Sequence, residues 1–177
     1  MAVAYRRAKE SDFSDSIEVL KQAFAPSCYE ATLVALLWRN EKISAHYVAT
    51  EAGKLVGYIA YSLGMAPGGL PIGLHLAPIA VHPAAQRRGI GRGLLNHSLD
   101  DLGSGVPLFV LGEPAFYGRF GFVPDPTLHS CFDETGGNFQ VLGRGIIAPG
   151  EVLYEPEFHQ AFNEVADRTV NKSANEE

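Results

Sequence analysis

Little in this chain points to an oxidising compartment, a membrane or a metal. Only two cysteines are present, Cys28 and Cys131, and no C-x-x-C pairs them. The N-terminus has no apolar signal region, so the expectation is a reduced, cytoplasmic protein. No run approaches about 18 uninterrupted apolar residues, which excludes an expected membrane helix. No group of Cys and His has ligand spacing, and no metal is expected. The glycines near residue 90 lack a following G-K-[ST], which rules out a Walker-type phosphate loop. A formal net charge of -6 argues against nucleic acid as a partner.

What is there is ordinary globular material. Of 177 residues, 46% are hydrophobic and 19% charged, enough for one core. The reading is a single domain over residues 1–166 followed by an unstructured polar tail, 167–177.

Periodicity orders the elements. Val3 to Arg7 reads as a strand. Ser11 or Asp12 then caps a helix with Phe13, Ile17, Leu20 and Phe24 on one face. A second helix, about Glu30 to Arg39, buries Leu33, Leu36 and Leu37. His46 to Thr50 and Leu55 to Leu63 flank a turn at Glu51-Ala52-Gly53-Lys54, the pattern of a hairpin. Leu74 to Val81 is a further strand, and Pro78 within it predicts a bulge or interruption, since proline cannot donate to a ladder. Ile90, Leu94, Leu95, Leu99 and Leu102 mark a helix ended by Gly103. Pro107 to Leu111 reads as a buried strand, Pro114 to Phe120 as a short helix, and Phe139 to Leu142 as a late strand. The expected class is α/β (α+β), with a mixed sheet.

The strongest local signal joins the strand ending at Val81 to the helix starting at Ile90. Between them lies Gln86-Arg87-Arg88-Gly89-Ile90-Gly91-Arg92-Gly93. Glycines let backbone N–H groups approach a ligand, and a helix start offers unpaired donors and partial positive charge. Three arginines at that end are unfavourable unless an anion such as a pyrophosphate sits among them. A solvated basic face is the plain alternative. A dinucleotide fingerprint would need glycine where Leu94 stands.

These residues resemble the acyl-CoA motif of the GNAT superfamily of N-acetyltransferases, [QR]-x-x-G-x-[GA] after a strand ending in V-x-P. Phe116-Tyr117-Gly118-Arg119-Phe120-Gly121-Phe122 is similar to a second family motif, and the element order agrees over about residues 3 to 145. Leu76-Ala77-Pro78-Ile79-Ala80-Val81-His82-Pro83 and Leu111-Gly112-Glu113-Pro114 resemble a YhbS-like bacterial group within it. The resemblance implies a mostly antiparallel sheet flanked by helices, with a V-shaped cofactor cleft. It implies acetyl-CoA as co-substrate, transferred to a primary amine by direct attack in a ternary complex. Backbone groups of Ile79, Ala80 and Val81 would pair with the pantetheine arm. The segment Gln86 to Gly93 would hold the pyrophosphate, and Tyr117 would lie at the sulfur as general acid. Where many relatives carry an asparagine, this chain has Leu111-Gly112-Glu113-Pro114.

His75, beside the expected cleft, and Glu113, at the end of the next strand, are the candidate bases; a structural polar role competes with each. Loop 63–73 and the stretch 125–137, with Asp133 and Glu134, are candidates for the acceptor site of a small-molecule or protein amine. A homodimer is left open. A non-catalytic acyl-CoA-binding or sensing module on the same fold is the alternative function.

Overall fold

The computed structural model describes residues 2–143 and 147–174, with side chains described as far as residue 168. Strands β1 (Val3–Arg7), β2 (Ile43–Glu51), β3 (Lys54–Met65), β4 (Pro71–Val81), β5 (Leu108–Leu111) and β7 (Phe139–Leu142) form one sheet in that spatial order. Every neighbouring pair is antiparallel except β4 and β5. The short strands β6 (Leu128–His129) and β8 (Gly150–Glu151) make a small second sheet. The mixed, mostly antiparallel architecture expected from the sequence is present.

Strand alternation assigns each side chain to a layer. Val48, Tyr58, Ala60 and Ala80 point to one face, under α1 (Phe13–Phe24) and α2 (Tyr29–Arg39). Tyr47, Ala49, Ile59 and Tyr61 point to the other, under α3 (Ile90–Leu102). Tyr117 and Phe122, in and just after α4 (Pro114–Tyr117), join that second layer. Asp12 precedes α1, but its carboxylate does not cap the helix. It accepts the Lys9 N–H at 2.7 Å and pairs with Arg6, so the chain enters through a short 3₁₀ turn, Glu10–Asp12.

Two features of the sheet create the site. The β3/β4 register slips between Ile59↔Ile79 and Tyr61↔Leu76, which leaves Ala77-Pro78 as a bulge where the proline predicts one. The β4/β5 pairing consists of Leu74↔Leu108 and His75↔Phe109. Beyond His75 the two strands part, and among the described residues no strand pairs with Leu76 to Val81 on the β5 side of β4. That divergence is the V-shaped cleft.

The C-terminal part differs from expectation. α5 (Glu157–Ala174) is helical through residues 167–174, where the sequence suggested an unstructured tail; 175–177 lie outside the described residues. Phe158 and Ala161 are buried against Leu33, Leu36 and Leu37 of α2. Asn40 donates to Glu157 at 2.7 Å and Lys42 pairs with Glu155 at 3.3 Å, fastening the α5 entrance to the end of α2.

Candidate functional site

The loop between β4 and α3 is shaped by backbone conformations that favour glycine. Gly89, the N-cap of α3, has φ +80, and Arg87 has φ +60. Among the described residues no side chain caps α3, and no acid lies in its first turn. The N–H groups of Arg87 to Gly91 take part in no hydrogen bond among the described residues. Unpaired donors at a helix start form an anion site. They open onto a cavity of about 540 Å³ whose lining includes Ile79, Val81, Gly89, Gly91, Arg87 and Arg92.

Sequence reasoning missed one member of this site. Arg119, in the turn after Tyr117, lines the same cavity. Among the described residues no carboxylate pairs with Arg87, Arg92 or Arg119. Arg88 differs: both its Nη atoms reach the Glu51 carboxylate at the end of β2, turning its charge away from the cavity. Gln86 folds back, its Nε2 donating to the Val81 carbonyl at 3.0 Å and bracing the loop. Gly93 has an internal reason to be glycine, because a Cβ there would overlap the Tyr5 hydroxyl packed on α3. At Gly91 a Cβ would meet only Val81 Cγ2, at 3.5 Å, so that position leaves room towards the cavity.

At Ile79 this cavity adjoins a second, of about 900 Å³, which runs along the open side of β4 past Tyr117. The Tyr117 ring is buried, edge-on to Phe116 and Phe122. A Cβ on Gly112 would strike that ring, so the glycine before Glu113 is what lets it lie there. Burial raises the Tyr117 pKa to about 12, and its hydroxyl has no hydrogen-bond partner among the described residues.

His75 lines this second cavity with 1% of its surface exposed. Its Nε2 lies 3.3 Å from the Leu153 carbonyl and its ring stacks on Tyr154 at 3.8 Å. Burial lowers its pKa to about 3, which makes it a weak proton acceptor. The shift has a consequence for stability. An unfolded histidine titrates near 6.5, so the neutral buried form contributes stability above that pH and loses it as the pH falls towards about 3. His75→Phe should therefore flatten the fall of melting temperature between roughly pH 6 and 4 relative to wild type. Parallel curves would show that His75 does not titrate on unfolding.

Glu113 stands elsewhere. Its side chain accepts the Ala115 N–H at 3.4 Å as the cap of α4, and it faces a smaller cavity shared with Asp133 and Glu134. The Asp133 carboxylate is itself occupied by the N–H groups of Asn138 and Phe139, at 3.0 and 2.9 Å. Of the two stretches expected to hold the acceptor, 125–137 contributes Phe132 to the large cavity and 63–73 contributes none of its described lining. Among the described residues no His, Cys, Asp and Glu cluster could hold a metal, and no helix is long and apolar enough to cross a membrane.

Comparison with known proteins identifies the family and the fold. The family model described as an acetyltransferase (GNAT) domain matches residues 42–124, a span that contains both the loop and Tyr117. The uncharacterized N-acetyltransferase YhbS of Escherichia coli is 31% identical over 152 residues, covering 83% of this chain and 91% of that one. The crystal structure of E. coli YhbS in complex with CoA superposes with TM-score 0.82 at 29% identity, covering 89% of this chain and 92% of that one. A GNAT family acetyltransferase from Brucella melitensis in complex with acetyl-CoA gives TM-score 0.75 at 29% identity, covering 89% and 98%.

Proposed function

The chain belongs to the GNAT family of acetyltransferases, and on that premise we propose that it transfers the acetyl group of acetyl-CoA to a primary amine in a ternary complex. One observation carries the reading. A cavity ringed by unpaired arginines and unpaired backbone N–H groups meets, at Ile79, a second cavity lined by the buried Tyr117, whose hydroxyl is left without a partner among the described residues. A pyrophosphate fits the first, a thioester their junction, and an amine the second.

In this reading the pyrophosphate accepts from the N–H groups of Arg87 to Gly91, and Arg87, Arg92 and Arg119 supply charge. Arg88 contributes its backbone. The pantetheine arm lies along the free side of Ile79, Ala80 and Val81 as an added strand. A backbone N–H of the interrupted strand, near Ile79 or Val81, polarises the thioester carbonyl as the tetrahedral oxyanion forms. The neutral amine attacks the carbonyl carbon, the C–S bond breaks with the Tyr117 hydroxyl donating to the departing sulfur, and the surplus proton of the new amide nitrogen passes through solvent to restore the tyrosine hydroxyl.

The test is thiol release. Incubated with acetyl-CoA and a panel of primary amines, the protein should liberate free CoA faster than the amine-free hydrolysis rate for at least one class of amine. Tight acetyl-CoA binding with no amine-dependent release across the panel would favour a binding or sensing module instead.

A further inference from the structure

The acceptor cavity has an unusual wall. Phe132, Tyr154 and Phe158 form a continuous aromatic surface, with Tyr154 4.9 Å from Phe132, 4.7 Å from Phe158 and 3.8 Å from the His75 ring, centroid to centroid. The polar ends of these rings are engaged by the protein. The Tyr154 hydroxyl is bonded to Ser130 Oγ at 2.7 Å, His75 Nε2 meets the Leu153 carbonyl, and Tyr29, also on the lining, donates to the Phe158 carbonyl at 3.3 Å. What the cavity presents is therefore ring surface. Phe162, on the same lining, is 62% exposed, an apolar side chain held in water beside an empty space. Glu30 is the single charged side chain among the described lining residues.

We infer that the acceptor is a primary amine on a flat apolar body, aromatic in the simplest case, which lies on this wall with its amino group towards Tyr117 and the bulge of β4. The inference rests on the acetyl-transfer reading and names the substrate class for it.

Size, charge and proton inventory support the assignment. About 900 Å³ lies within the range of small-molecule sites. A polyamine or a basic peptide would bring several charges into a space with one carboxylate, and each unpaired charge would lose its hydration. An apolar amine brings one. The same desolvation favours the neutral form of that amine, which is the nucleophile the reaction needs. This suits a site whose buried histidine is a weak base. Burying the body of the ligand also covers Phe162, which an added polar substrate would leave wet.

The experiment is calorimetric titration of the CoA-saturated protein, which cannot turn over, with 2-phenylethylamine, propylamine and spermidine. Phenylethylamine should bind at least about 10-fold more tightly than either, the effect of burying one ring. Phe162→Ala, at an exposed position, should reduce that preference while CoA affinity stays at the wild-type value. Phe158→Ala should remove it further. Equal affinity for phenylethylamine and propylamine, or tighter binding of spermidine, would overturn the inference. So would a hexanoyl-CoA that binds more tightly than acetyl-CoA and abolishes phenylethylamine binding, since the wall would then serve the acyl chain. Failure of CoA itself to bind would instead strike at the acetyl-transfer reading.

Discussion

Tyr117→Phe is expected to lower kcat for acetyl transfer by about 10²- to 10⁴-fold, the usual contribution of a positioned general acid. The ring would remain between Phe116 and Phe122 and above Gly112, so the fold and the affinity for acetyl-CoA should hold. Only the hydroxyl is lost, and it is needed only as the C–S bond breaks, so the deficit belongs in kcat rather than KM. A pKa near 12 keeps this phenol protonated throughout the neutral range. It also sets the size of the effect. A thiol titrates near 8.5, so complete transfer from a phenol of pKa about 12 to a free thiolate is uphill by a few units. The hydroxyl therefore acts mainly by hydrogen bonding to sulfur in the transition state, and the loss should fall towards the lower end of the range. Single-turnover rates with a working amine measure it. Full turnover in the variant, with chemistry shown to limit the rate, would make Tyr117 a packing residue.

Much of this arrangement is legible in the sequence because it is encoded locally. Apolar spacing places α1, α2 and α3, alternation places β2 and β3, Pro78 marks the bulge, and Gly89 marks the left-handed turn into α3. What escapes depends on contacts between distant segments. Arg119 reaches the α3 cavity only because the chain after Tyr117 folds back towards it, and no sequence spacing reports that. The use of Gly93 follows from Tyr5, on a strand far away in the chain. Arg88 is diverted by Glu51, again a tertiary accident of neighbouring ends. α5 is a different case. Phe158, Ala161, Phe162 and Val165 recur at helical spacing, a signal legible in the sequence but diluted by the polar and charged residues around it. With α5 goes the aromatic wall, since it supplies Phe158 and Phe162.

The cofactor site carries the whole functional reading, and a titration of acetyl-CoA into wild-type protein and an Arg87→Ala, Arg92→Ala, Arg119→Ala triple variant tests it most directly. Each guanidinium freed of any carboxylate can give the pyrophosphate a charge-assisted bond whose loss costs roughly 1 to 2 kcal/mol at an exposed site. Three together correspond to about 10²- to 10⁴-fold in Kd. Removing cations from the positive end of α3 should leave the melting temperature unchanged or slightly raised, so weakened binding could not be ascribed to unfolding. Arg88→Ala serves as the control, because its side chain is held by Glu51; its Kd should stay within a few-fold of wild type. S-acetylpantetheine, which lacks the pyrophosphate, should bind both proteins alike. The expected result is a large loss of acetyl-CoA affinity confined to the triple variant. A folded triple variant that binds acetyl-CoA as tightly as wild type would contradict the placement of the cofactor.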